Sequence, residues 1–250
     1  MQPLTHTQLT QTLHTLGLQR GDTVLCHSAL QFLGKPENGL DTITDALDHV
    51  LGFSTLEGTL ALPSFNFDFA RGLPYHPETS PAQKMGALPE NFRRRPQVCR
   101  TPHPLQSLVV AGRFAHDLCR RDTLSAFDEN SAFARLLELD GWLLLLGADI
   151  QAASIIHYSE QRAQVPYRYW KTFTAPYVNE TRTYCMFVRD LTLDPHLSLA
   201  PLQAELSARG QWYNQPLNYG SVSACRLRHF TAAADHLLAQ NPWIFVTNTP

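Results

Sequence analysis

The sequence predicts an α/β fold, a sandwich built on a sheet of mixed strand directions, and three observations carry that expectation. Short apolar runs bounded by turn formers alternate with helical stretches through the first half of the chain. One such run, Trp142 to Leu146 (WLLLL), is apolar on both faces, as a strand covered by helices on each side should be. The Thr, Tyr, Phe and Val content from Arg168 to Arg189 suits antiparallel strands, so the directions are mixed.

The elements follow in order. Thr5 with Gln8 three residues later forms a capping-box pattern, and Leu9, Leu13 and Leu16 continue at helical spacing to about Gly17. Asp22 to Cys26 (DTVLC) runs into His27-Ser28, and Gly58 to Leu62 (GTLAL) runs into Pro63-Ser64. Each reads as a strand that delivers polar residues at its C-terminal end. Ile43, Leu47, Val50 and Leu51 mark a helix between them, completing a strand-helix-strand unit. From Asn66 to Arg100 periodicity is lost apart from a short helix near Leu88 to Arg94, and so long a structured loop points to binding or to covering a site. Ser131 opens a helix through Leu139, a further helix is expected from roughly Gln151 to Ala163, and Thr231 to Gln240 closes the chain before Asn241-Pro242. No repeat, low-complexity tract or linker interrupts this pattern, so one domain is expected over residues 1–250.

Composition narrows the function. Lys and Arg total 20 against 22 Asp and Glu, which leaves no field to attract nucleic acid or an anionic membrane. The start, MQPLTHTQLTQ, lacks the basic and apolar segments of a secretory signal, and no apolar stretch is long enough to span a bilayer. The five cysteines lie far apart without paired spacing and read as reduced thiols, so a soluble, cytoplasmic protein is expected.

Three segments carry candidate chemistry. In SIIHYSEQRA (Ser154 to Ala163), just after the buried strand, His157 and Glu160 are helical neighbours at i, i+3, while Ile155, Ile156, Ser159 and Ala163 form the inward face. A histidine backed by a carboxylate near the C-terminal edge of a sheet is a credible general base; the plainer reading is a partly buried histidine with an ordinary hydrogen bond. In CRTPHPLQS (Cys99 to Ser107) two prolines stiffen the backbone so that Ser107 can face a ligand, although a turn before a strand explains the same residues. In VLCHSALQFLG (Val24 to Gly34) a strand runs into a turn whose amides suit a phosphate or carbonyl oxygen.

Ser28 lacks the glycines of a nucleophile elbow, and no G-x-G-x-x-G or G-x-x-x-x-G-K loop is present. None of the eleven histidines sits as H-x-x-x-H or H-x-H beside acids, so no metal is expected. Arg93, Arg94 and Arg95 read as a solvated loop, with coenzyme phosphates as an alternative partner.

Taken together, GDTVLCHSALQFLG, GTLALPSFNFDF, SPAQKMGALPENFRRRP, RTPHPLQSLVVAG and LLLLGADIQAASIIHYSEQRAQVPYR resemble the aminoglycoside 3-N-acetyltransferase family, in order from Gly21 to Arg168. The resemblance implies that family's α/β fold and an enzyme, an N-acetyltransferase using acetyl-coenzyme A. It implies that His27, Ser28, Ala29 and Leu30 line the coenzyme with Ser107 on the same side, and that His157 is the base, with Glu160 in the same motif. Asp190 in FVRDL is the positional candidate for a further acid. Phe65, Asn66 and Asp68 in PSFNFDFARG are the expected acceptor contacts. Two departures bear on the acceptor: Gln151 and Ser154 stand where drug-modifying members usually have Asp and Thr, and no acid-rich insert is evident. A small amine of amino-sugar type on a surface-sugar or natural-product pathway is therefore expected ahead of an antibiotic. O-acetylation, another acyl group or a non-catalytic coenzyme-binding module are the alternatives, and a homodimer stays open.

Overall fold

The computed structural model describes residues 2–248. In chain order they form β1 (Pro3–Leu4), α1 (His6–Thr15), β2 (Thr23–Ser28), β3 (Lys35–Pro36), α2 (Leu40–Leu51), β4 (Thr59–Pro63), α3 (Ala87–Phe92), β5 (Cys99–Arg100), β6 (Leu108–Gly112) and α4 (Ala115–Cys119). There follow α5 (Ala132–Glu138), β7 (Trp142–Leu146), α6 (Ile156–Ala163), β8 (Arg168–Tyr177), β9 (Glu180–Arg189), α7 (Ala200–Ala208), β10 (Tyr213–Leu217), β11 (Gly220–Arg226) and α8 (Leu227–Gln240).

Seven strands join in the order β10-β11-β7-β2-β4-β6-β5. The central trio β7, β2 and β4 is parallel, and the flanking pairs are antiparallel, so the sheet is mixed as expected. Strand side chains point alternately to the two faces, which divides the core in two. Val24, Cys26, Leu144 and Leu146 face α1, α2 and α3. Leu25, Leu143 and Leu145 face α5, α6, α7 and α8. Burial on both faces explains why β7 is apolar at every position.

The capping box at Thr5 is present in full, with Thr5 Oγ1 accepting from the Gln8 amide and Gln8 Oε1 accepting from the Thr5 amide. The stretch from Arg168 to Arg189 forms a hairpin, β8 with β9, as a separate two-stranded sheet. It packs on the long loop, where the Tyr75 amide donates to Pro176 O at 2.9 Å and the Val178 amide donates to Tyr75 O at 2.9 Å. Buried Arg100 fixes the same loop by donating to the carbonyls of Ser64, Pro77 and Ser80.

Several expectations are corrected. The helix expected from Gln151 begins later: Ile150–Ala152 is a single tight turn and the α-helix runs Ile156–Ala163, with Ala163 exposed rather than packed inward. The closing helix starts four residues earlier, at Leu227. Cys99 and Cys119 are joined as a disulfide and are not reduced thiols, because β5 and α4 flank the end of β6 and bring their Cα atoms to 6.3 Å across 20 residues of sequence. Arg93 and Arg94 pair with Glu90, and Arg95 pairs with Asp41, so the arginine run is tied into the loop and α2. Among the described residues, no helix is long and apolar enough to cross a membrane.

Candidate active site

The parallel trio places the C-terminal ends of β2 and β7 side by side, and the polar residues that follow them converge there. Gly147 permits the approach: its φ is +65°, and a Cβ would lie 2.6 Å from Ala29 O. His27, one residue before the end of β2, is buried, and the Ser154 amide donates to its Nε2 at 3.4 Å. An amide only donates, so Nε2 accepts and the neutral ring carries its proton on Nδ1. Burial pushes the His27 pKa down to about 3, and the neighbouring His157 adds to the effect.

His157 lies in the first turn of α6, three residues from Glu160, so the two side chains meet on one face. His157 Nδ1 is 2.5 Å from Glu160 Oε2. A carboxylate only accepts, so Nδ1 carries a proton, and in the neutral ring the lone pair is on Nε2, to which none of the described residues donates. Glu160 is 2% exposed, which disfavours its charge, yet its pKa is held below the ordinary carboxylate range. His157, Arg168 and Tyr167 outweigh the burial, with Tyr167 donating to Oε1 at 3.0 Å. Arg168 Nε lies 2.9 Å from Oε2 but makes no aligned hydrogen bond among the described residues, so that contact is ionic.

His157 itself is 29% exposed. It stands between a hollow of about 160 Å³ lined with Phe65, Gln151, Ser154 and Leu199, and one of about 20 Å³ lined with Gln106, Ser125 and Cys185. A larger hollow of about 530 Å³ lies at the other end of the sheet, against Gly112 and Cys99, and contains none of these groups. At His157, then, a buried, multiply bonded carboxylate orients an imidazole that reaches a cavity, an arrangement suited to proton transfer.

The other expected residues divide. Ser28, Ala29 and Leu30 are half-buried where β2 ends, and the Ala29 amide is committed to Leu146 O at 2.8 Å. Phe65 reaches the hollow beside His157. Asn66 and Asp68 are instead staples of the long loop: Asn66 Nδ2 donates to Pro81 O at 3.0 Å, and Asp68 accepts from Gln83 Nε2 at 2.5 Å. The Ser107 hydroxyl does not face a ligand either. It is fully buried, donates to Ser64 O at 2.6 Å and accepts from Arg100 Nε at 2.9 Å. Asp190 does not orient His157, because its exposed carboxylate folds back on the amide and hydroxyl of Thr192. The sequence reading missed Tyr167 and Arg168, which grip Glu160 from the start of the hairpin; the YR pair stood at the close of the last quoted motif. Among the described residues, no group of three or more His, Cys, Asp or Glu is placed to hold a metal ion.

The fold coincides with that of known proteins. The family model for aminoglycoside 3-N-acetyltransferase matches residues 25–239. The SPbeta prophage-derived aminoglycoside N(3')-acetyltransferase-like protein YokD of Bacillus subtilis is 28% identical, covering 93% of this chain and 90% of its own. The structure of AAC-IIIb with coenzyme A superposes with a TM-score of 0.85 at 26% identity over the whole of both chains. A variant of the aminoglycoside acetyltransferase AAC(3)-IVa in complex with a gentamicin superposes at 0.82 and 26% identity, covering 99% of this chain and 93% of that one. The chain belongs to the aminoglycoside 3-N-acetyltransferase family. The expected class therefore holds, an enzyme that transfers an acetyl group from acetyl-coenzyme A to an amine.

Proposed function

We propose that His157 is the general base of a direct acetyl transfer to the amine of a small, amino-sugar-like substrate, within one domain spanning the chain. The observation that carries this reading is the His157–Glu160 pair, with Nδ1 held by the carboxylate and Nε2 free at a cavity. Small amine acceptors are supported by the gentamicin complex of the family member described above.

The cosubstrate supplies an activated thioester carbonyl. An alkyl amine reaches the site as an ammonium ion, with a pKa of about 10 as for lysine, and has no lone pair until it loses a proton. His157 Nε2 takes that proton while Glu160 stabilises the resulting imidazolium. The nitrogen then bonds to the carbonyl carbon, the carbon–sulfur bond breaks, and His157 returns its proton to the departing sulfur. The second proton of the new amide nitrogen passes to water. Tyr167 and Arg168 keep Glu160 ionised and fixed, which holds the imidazole in the productive tautomer.

The test is release of coenzyme A thiol by His157→Ala in a panel of small amines. A folded variant is expected to lose about a hundred- to ten-thousandfold in kcat. Turnover within a few fold of the parent protein would remove His157 from the role.

A further inference from the structure

The hollow beside His157 limits what the acceptor can be. Its volume is about 160 Å³, below the about 300–1,000 Å³ of sites that enclose drug-sized ligands, so it encloses roughly one ring. Its walls are largely apolar: Phe65, Ile156, Leu197, Leu199 and Phe245 contribute side chains, and Gln151 stands exposed among the lining residues. Its charged groups are few. Glu160 is the one carboxylate among the described lining residues, and it is already held by His157, Tyr167 and Arg168. Arg168, 8% exposed, adds a positive charge to the same wall.

An amine that gives its proton to His157 enters such a hollow as a neutral nucleophile. A second ammonium group on the same ring would have to leave water beside Arg168 with no free carboxylate among the described lining residues, and an unpaired buried charge is strongly disfavoured. The apolar wall, by contrast, favours a face of methyl and methine groups.

We infer that the acceptor is a monoamine, a single sugar-like ring with a deoxy, apolar face and no second ammonium group near the reacting nitrogen, and that Gln151 is a residue that sets this preference. The inference rests on the acetyltransferase reading above and names its substrate class.

The test compares, on the full chain with acetyl-coenzyme A, the methyl glycoside of a 4-amino-4,6-dideoxyhexose with gentamicin, following thiol release and product mass. The monoamine is expected to have the higher kcat/KM by at least tenfold. Gln151→Asp, which places a carboxylate at the opening, is expected to shift that ratio toward the polyamine by up to about fivefold at low salt, as for a single exposed ion pair, and the shift should fade as salt rises. Gentamicin turned over as well as or better than the monoamine overturns the inference and leaves the acetyltransferase reading intact. A ratio unmoved by Gln151→Asp takes Gln151 out of it. If coenzyme A raises the melting temperature yet no amine releases thiol, the acetyltransferase reading itself fails and takes the inference with it.

Discussion

The two ends of the central sheet carry hollows of opposite character. The larger, about 530 Å³, lies where β6 ends against α2 and α4. Its polar residues are surface groups, among them Asp45, Asp48, Arg113 and His116, and Arg95 is paired with Asp41 on α2. The smaller, at the C-terminal ends of β2 and β7, has a third of that volume but gathers a buried carboxylate, a histidine, an arginine and a serine, with His27 behind that serine. Volume follows from how edge strands and helices fit, whereas a buried carboxylate surrounded by three partners is costly to build and fixes the orientation of its neighbour. The contrast teaches that cavity size and convergence of desolvated titratable groups part company in this fold, and the proposed chemistry follows the second.

The largest expected effect breaks that comparison most directly. His157→Ala should cost two to four orders of magnitude in kcat. His116→Ala, in the larger hollow, should leave kcat and KM for acetyl-coenzyme A within about twofold, since surface substitutions are close to neutral. Equal losses at the two histidines would erase the distinction between the hollows.

Glu160→Gln comes next. The amide still accepts from Tyr167 but cannot balance Arg168, so the substitution leaves a buried guanidinium without its counter-charge at a cost of about 3–5 kcal/mol. It also removes the acceptor that fixes the proton on His157 Nδ1. The urea midpoint should fall and kcat should drop even where the protein remains folded. An unaltered midpoint would show that the Arg168 contact contributes little.

At the other hollow the disulfide is the strongest local tie. Cys119→Ser opens a loop of about 20 residues and should lower stability by about 3 kcal/mol. Turnover at saturating substrate should be retained, because Cys99 lines the larger hollow and not the one at His157. A stable but inactive Cys119→Ser variant would mean that the two ends are coupled.

What the sequence revealed follows the reach of each interaction. The Thr5–Gln8 cap and the His157–Glu160 pair span three residues, a distance that helix geometry alone dictates, and both were legible. β7 was legible because burial on both faces leaves an all-apolar run. The roles of Asn66, Asp68 and Ser107 were not, because their partners Pro81, Gln83 and Ser64 are supplied by the path of the long loop. The edge hairpin of β10 and β11 escaped notice for another reason: YNQPL is mostly exposed and contains a proline, which an edge strand tolerates but periodicity does not reveal. Asp190 fitted by position alone, and a local turn with Thr192 satisfies it.

Acid should act on the His157 end through its buried neutral histidines. Burial pushes His27 down to about 3 and His103 down to about 4, the latter despite its contact with Cys185 O at 3.2 Å. In the unfolded chain both titrate near 6.5. Between those values the unfolded state binds protons that the native state does not, so stability rises with pH and is lost as pH falls below about 6.5. Each ring contributes up to about 1.4 kcal/mol per pH unit, ending near pH 4 for His103 and near pH 3 for His27. Glu160 works in the same direction, but only below the ordinary carboxylate range. Urea denaturation at pH 7, 6 and 5 should show this loss, and His103→Asn should reduce the slope by about one proton. A stability that is flat or increasing toward pH 5 would mean that these rings take up protons in the folded protein, and the difference in desolvation between the two ends of the sheet would then be lost.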